Sequence, residues 1–371
     1  MTRLADLLEA PENRLEADAD IEAIYELCLE RGWSDGLPVI PPSAERVERM
    51  LAYCDRPWDE PIAAIPPRYG AATPLRLAAN AVMAGCRPQY FPLVMLAIEA
   101  MADEPFNLYG IQATTHPCAP LIIVNGPVAQ ELAINSGHSA FGAGWRSNAT
   151  IGRAVRLALV NIGGAVPGLG DMATAGSPAK YTFCAAENAA ASPWEPLHVE
   201  LGYPATASTV TVVAAEGPHN INDHESLSAK GILTTFAGSI ASTGANDVYH
   251  RGTPVLAFGP EHAATVASDG YSKADVKRYL FEHARLPLSR FSEENIARRF
   301  RAKPDLPYAN ASLDTLVPML QAAEDFIVIV VGGAGKHSAY MPTFGTTRAV
   351  TRALKNGDGR FVRSIEELRT A

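Results

Sequence analysis

Four short apolar runs constrain this chain more than anything else in it, because each stops at a glycine-containing turn. They are residues 120–124 ahead of Asn125-Gly126-Pro127, residues 210–213 ahead of Glu216-Gly217-Pro218-His219, residues 254–258 ahead of Gly259-Pro260-Glu261-His262, and residues 326–331 ahead of Gly332-Gly333-Ala334-Gly335-Lys336-His337. Runs of this length, rich in Val and Ile and bounded by Gly and Pro, predict buried strands. Side by side in one sheet, such strands gather their polar turns along a rim, where open α/β sheets bind ligands. The turns at His219, His262 and His337 are therefore expected on one shared rim.

The chain has 371 residues, 47% of them hydrophobic, which is enough for two domains or one large duplicated one. Its 40 acidic against 31 basic residues leave a net charge of −9, with no Lys/Arg run to offset it. That balance argues against nucleic acid or an anionic membrane as partner. The five cysteines, Cys28, Cys54, Cys86, Cys118 and Cys184, form no C-x-x-C pair and are odd in number. A disulfide framework is not expected, and a reducing, cytoplasmic setting is. Met1-Thr2-Arg3-Leu4-Ala5-Asp6 leads into acidic sequence and not into an apolar leader, and no uninterrupted apolar run approaches ~20 residues.

Along the chain, Ile21, Ile24, Tyr25 and Cys28 predict an amphipathic helix over 17–31, and Ser43 offers an N-cap for another through Val47, Met50 and Leu51. The apolar, Pro/Gly-punctuated segment 32–42 between them is expected to pack on the body of the protein. Further helices are expected over 75–84, 93–101, 149–160, 232–240 and 272–285, the last capped by Ser272 and Asp275. A weak repeat runs through the middle. His116 or His250, a proline four residues on (Pro120, Pro254), a strand, Gly-Pro and a helix recur in that order. An extended piece at 62–65 opens the first copy, and the strand 210–213 opens the second. The expected architecture is thus α/β, a mostly parallel or mixed sheet covered by helices with internal duplication. Its parts are a helical extension (1–59), two α/β halves (60–204 and 205–345) with ligand bound between them, and a helical tail (346–371).

The densest polar cluster is Gly217-Pro218-His219-Asn220-Ile221-Asn222-Asp223-His224-Glu225. His219, Asp223 and His224 offer neutral nitrogen and hard oxygen to a divalent metal ion, although the spacing matches no known signature. On a structural reading, Asn222 and Asp223 shape a turn and cap the next helix. His219 is also a catalytic candidate. His116 and His250 suit an acid and a base facing one another, and Cys118, two residues after His116, is a candidate nucleophile. The turn 332–335 with Lys336 and His337 suits an anion, with Gly333 at its centre. It fits neither the phosphate-loop nor the dinucleotide pattern, so no nucleotide cofactor motif is present. Arg146 and Lys180 are the other cations placed to hold an anionic substrate, Lys180 just after the long Gly/Ala/Pro-rich stretch 163–179.

Asp35-Gly36-Leu37-Pro38-Val39-Ile40-Pro41-Pro42, Ala149-Thr150-Ile151-Gly152-Arg153-Ala154, Tyr181-Thr182-Phe183-Cys184, Ser192-Pro193-Trp194-Glu195-Pro196-Leu197 and the cluster 217–224 resemble a poorly characterised bacterial family. That family is associated with small proteins bearing a Cys- or selenocysteine-Gly-Ser-Cys motif, the UGSC proteins. The resemblance covers most of the chain and implies a thiol or selenoprotein partner, since this chain has no Cys-Gly-Ser-Cys sequence. Together these features predict a homo-oligomeric enzyme, a hydrolase or lyase, acting on a small anionic molecule by metal-assisted or histidine acid/base chemistry. The alternatives are a subunit of a thiol-dependent redox complex and a non-catalytic small-molecule-binding module.

Overall fold

A computed structural model describes residues 4–11, 14, 15, 17, 20–250 and 252–370. The reading of Met1, Thr2 and Arg3, and the start of the helix expected over 17–31 at residues 18 and 19, lie outside the described residues. The fold is α/β with mixed sheets. In chain order come α1 (Leu4–Glu9), α2 (Ile21–Glu30), α3 (Ala44–Leu51), a hairpin β1 (Ala63–Ile65) and β2 (Gly70–Ala72), α4 (Pro74–Ala84), α5 (Phe91–Ala102), α6 (Leu108–Ala113), β3 (Ala119–Asn125), α7 (Pro127–Glu131), α8 (Arg146–Asn161), β4 (Cys184–Ala186), α9 (Leu197–Glu200) and β5 (Thr209–Ala215). There follow β6 (His219–Asn222), α10 (Ala229–Ile240), β7 (Val255–Phe258), α11 (Pro260–Ser268), α12 (Lys273–His283), β8 (Arg285–Pro287), β9 (Leu316–Pro318), β10 (Ile327–Val330), β11 (His337–Met341) and β12 (Val350–Ala353). Among the described residues no helix is long and apolar enough to cross a membrane.

The chain divides into two units. The first runs to Ala186, takes in His198–Ala214 and resumes at Ala349; the second is Glu187–Leu197 with Ala215–Arg348. The first unit holds a sheet of order β12-β5-β3-β4, antiparallel between β12 and β5 and parallel between β3 and β4. The second holds β6-β11-β7-β10, antiparallel at its first two steps and parallel at the last. Both sheets have four strands with an antiparallel pair at one edge and a parallel pair at the other. In both, the strand next to the parallel edge, β3 or β7, ends in Gly-Pro with the proline in the first turn of a helix, where its fixed φ and missing N–H cost nothing. The glycine is required at both places. A Cβ on Gly126, whose φ is 90°, would stand 2.2 Å from the Ala207 carbonyl oxygen, and one on Gly259 would stand 2.1 Å from that of His337.

The strand, Gly-Pro, helix unit is thus present at both expected places, but the pieces opening the two copies are not counterparts. Residues 62–65 enter a two-stranded hairpin, whereas 210–213 lie inside the first unit's sheet. The expected boundary at residue 205 fails for the same reason, and so does the helical tail. Val350 and Thr351 are β-branched and pair with Val212 and Thr211, the two threonine hydroxyls meeting at 2.8 Å. Beyond Gly359, at φ 78°, the only helix among the described residues is a single 3-10 turn, Ile365–Leu368. The segment 32–42 does pack on the body. Arg153 of α8 grips Asp35 through two bonds of 2.8 Å and donates to the carbonyls of Leu37 and Pro38, and Val39 is buried.

The second unit's core stacks Phe236 of α10 on Phe258 of β7 at 4.5 Å, with Trp194 edge-on to Phe258 at 5.5 Å. Trp194 explains why 187–197 belongs to this unit, as does the buried pair of Glu187 with Lys273. Asp247, 4% exposed, closes the far end of β11. It accepts the Tyr340 hydroxyl at 2.5 Å and the Thr343 hydroxyl and amide at 3.0 and 3.2 Å. Burial outweighs these bonds and pushes the Asp247 carboxyl up to about 7. The folded protein therefore holds a proton there that the unfolded chain has released above about pH 4. Stability from this group is present below that pH and is lost as pH rises towards 7. Asp247→Asn is expected to remove this slope. In denaturant unfolding between pH 4 and 8, wild type should lose stability relative to the variant as pH rises, with a ceiling of about 4 kcal/mol at ~1.4 kcal/mol per pKa unit. Parallel curves would refute the assignment.

Candidate functional site

Strand direction decides which loops of the second unit meet. Because β11 runs antiparallel to both β6 and β7, the ends of β6, β7 and β10 and the start of β11 share one rim. That rim carries Asp223-His224, Gly259-Pro260 and the turn 332–335 with Lys336 and His337. Beneath it lies His262 of α11, fully buried and bonded through both ring nitrogens. The Asp223 carbonyl, 2.9 Å from His262 Nε2, can only accept, so Nε2 carries a proton. In the neutral ring Nδ1 then accepts the Ser338 hydroxyl at 2.8 Å, and the Ser338 oxygen accepts the Gly259 amide at 2.9 Å. This arrangement requires a neutral ring, and burial pushes the His262 imidazole below its ordinary value despite Asp223. The Asp223 carboxylate points away from the rim. Its oxygens accept the Thr235 hydroxyl at 2.6 Å and the Ser226 amide at 2.9 Å. Burial would raise this carboxyl, but those bonds outweigh it and hold it below the usual carboxylate value.

Above this buried chain sits an exposed pair. His224 Nε2 and His337 Nε2 lie 3.3 Å apart, with the rings edge-on at 5.1 Å. His337 Nδ1 is 3.0 Å from Asn220 Oδ1, which can only accept. The Nδ1 proton is thereby fixed, leaving a lone pair on His337 Nε2 to receive the Nε2 proton of His224. His224 Nδ1 is left as a proton acceptor. Lys336 Nζ donates to the His224 carbonyl at 2.8 Å, fixing the loop and placing a cation beside the imidazoles. The amides of Gly333, Ala334 and Gly335 have no acceptor among the described residues. They are available to an anion or to water.

The expected residues are partly gathered here. His337, Lys336, Gly333 and His224 share the rim with His262. His219 does not: its register partner is Tyr340, while that of His337 is Asn222, so His219 stands at the opposite end of β6, roughly 10 Å along the strand. The expected single rim of His219, His262 and His337 is corrected accordingly. His219, Asp223 and His224 are not assembled as metal ligands, because Asp223 is turned inward. Among the described residues no group of three or more His, Cys, Asp or Glu side chains is placed to hold a metal ion. Asp223 instead fits the structural reading, shaping the turn before α10.

His116 lies in the first unit and His250 in the second, each in the loop before its strand. Cys118 is buried at the head of β3, 1% exposed, with no open approach for a substrate. All five cysteines are free and buried, and burial pushes the Cys86 thiol up to about 12. Arg146 is a cap: its Nε and Nη2 donate to the Gly85 carbonyl, 3.0 and 2.9 Å, at the C-terminus of α4. Lys180 belongs to the first unit, where its Nζ donates to both carboxylate oxygens of Asp171 at 2.8 Å. Asn220 and Ser338 went unrecognised in the sequence. The alternation Asn220-Ile221-Asn222 is the signal that would have marked Asn220 as a strand residue, whereas His337-Ser338-Ala339-Tyr340-Met341 carries no such alternation to mark Ser338.

No family model matches the chain, and no curated protein or solved structure matches it.

The buried and exposed histidines should separate by mutation. His262→Leu strands the Ser338 hydroxyl and the Asp223 carbonyl, so a loss of about 1–3 kcal/mol is expected in denaturant unfolding. His224→Gln and His337→Gln, on exposed side chains, should stay within about 0.5 kcal/mol of wild type. A neutral His262→Leu would remove His262 as the organiser of the rim.

Proposed function

We propose that the chain is an enzyme acting on a small anionic molecule by histidine acid/base chemistry, a hydrolase or lyase, with the rim of the second unit as its active site. The observation that carries this reading is the 3.3 Å contact between His224 and His337, oriented by Asn220. His224 Nδ1 takes a proton from water or from the substrate while its Nε2 proton passes to His337. The resulting His337 imidazolium keeps its bond to Asn220, and the proton returns by the same route to a leaving group. Lys336 and the amides of 333–335 hold the substrate's anionic group. Neutral imidazoles suit this task because they exchange protons near neutral pH. The five free, buried cysteines agree with a reducing compartment.

A metal-assisted reading is favoured by one distance. Two imidazole nitrogens on a single tetrahedral zinc ion, each at ~2.0–2.1 Å, stand roughly 3.3–3.4 Å apart, which is the His224–His337 separation. His224 Nε2 and His337 Nε2 would hold such an ion, and exogenous ligands would complete its shell.

Turnover should be measured on a panel of small carboxylates and phosphate esters, before and after exhaustive chelation. His337→Gln and His224→Gln are each expected to lower kcat/KM by roughly 10²–10⁴-fold with the melting temperature unchanged. Asn220→Leu, which releases the His337 ring, should lower kcat more than it raises KM. Activity that survives chelation supports the proton relay, and activity lost with the metal supports the second reading. Full turnover in both glutamine variants would overturn both.

A further inference from the structure

The first unit contains a cavity of about 620 Å³, within the ~300–1,000 Å³ of small-molecule sites. Its apolar wall includes Val160, Val166, Pro167 and Pro178, with the half-exposed Tyr181 also on the lining. Gly168 and Gly176, both at positive φ (78° and 72°), turn the loop along its edge, and a Cβ at either would meet nothing within 4 Å. The polar part of the lining is uneven. Asp171 takes Lys180 Nζ on both oxygens at 2.8 Å, Arg156 Nη2 at 2.7 Å and the Ala173 amide at 3.1 Å. Two cations thus share one carboxylate, with Arg156 and Lys180 only 12% and 13% exposed. The other acid on the lining, Asp35, is already matched by Arg153. One positive charge is left over, where water screens it poorly. Arg156 Nε and Nη1 and the third Lys180 N–H have no acceptor among the described residues.

We propose that this cavity binds a small amphipathic monocarboxylate, its carboxylate received by Arg156 and Lys180 and its apolar body laid against Val160, Val166 and the two prolines. A dianion would overshoot the single surplus charge, and a neutral alcohol would leave it unmatched. The site lies wholly within the first unit and is independent of the histidine chemistry proposed for the second.

Hexanoate, 1-hexanol and acetate are the probes, titrated against the full chain while the amide resonances of Gly168 and Gly176 are followed. Hexanoate should shift both saturably, with 1-hexanol and acetate at least 10-fold weaker. Lys180→Met should weaken hexanoate by roughly 10–100-fold, the range for losing a charged hydrogen bond. Ala175→Trp, on an exposed part of the loop, fills the cavity without touching the charge cluster; it should abolish the shifts, and it keeps the test open if Lys180→Met folds poorly. Equal binding of 1-hexanol and hexanoate, unchanged binding in Ala175→Trp, or no response to hexanoate would each overturn the proposal.

Discussion

His262 is the fixed point of the second unit. A fully buried imidazole with both nitrogens committed ties the loop after β6, the head of β11 and the turn from β7 into α11 into one hydrogen-bonded chain. Three segments far apart in sequence are thereby held in register at one rim. Burial disfavours the charged form of this ring. Its bonds reach the residues adjoining His224 and His337, and so hold that exposed pair in place. Gly259 makes this approach possible, since any side chain there would strike the His337 carbonyl. This backbone approach lets the start of β11 lie against the turn from β7 into α11.

Strands β3, β7 and β10 were legible in the sequence because they are buried on both faces, as an uninterrupted Val/Ile run signals. Strands β6, β11 and β12 were not, because each spans only four or five residues and mixes polar with apolar side chains without a sustained period. A run of that length reads equally well as turn or strand. Losing them misplaced His219, since only pairing with β11 shows that it lies at the far end from Asp223. It also misplaced the division of the chain, because β5 and β12 return to the first unit's sheet after the chain has visited the second. Covalent order and spatial order part company there, and periodicity reports only the first.

Charged residues were legible by type but not by commitment. Arg146, Lys180 and Lys336 look alike in the sequence. What separates them is an acceptor supplied from elsewhere: the Gly85 carbonyl 61 residues from Arg146, the Asp171 carboxylate 9 residues from Lys180, and the His224 carbonyl 112 residues from Lys336. Arg146 is spent on a helix end. Lys180 is half spent, because Asp171 is shared with Arg156. The His224–His337 contact, spanning 113 residues, was likewise beyond sequence spacing. The Asn-rich cluster marked a polar stretch, and its pairing with β11 decided which of its residues reach the rim.

Asp247 and His262 give the second unit two opposed proton linkages. The raised carboxyl withdraws stability as pH climbs from about 4 towards 7. The lowered imidazole works the other way. Its unfolded form binds a proton below about 6.5 that the folded form refuses, so its contribution is present above that pH and lost as pH falls through it. Over the interval between, one contribution grows while the other declines, so the two buried groups pull the stability of the same unit in opposite directions as pH changes.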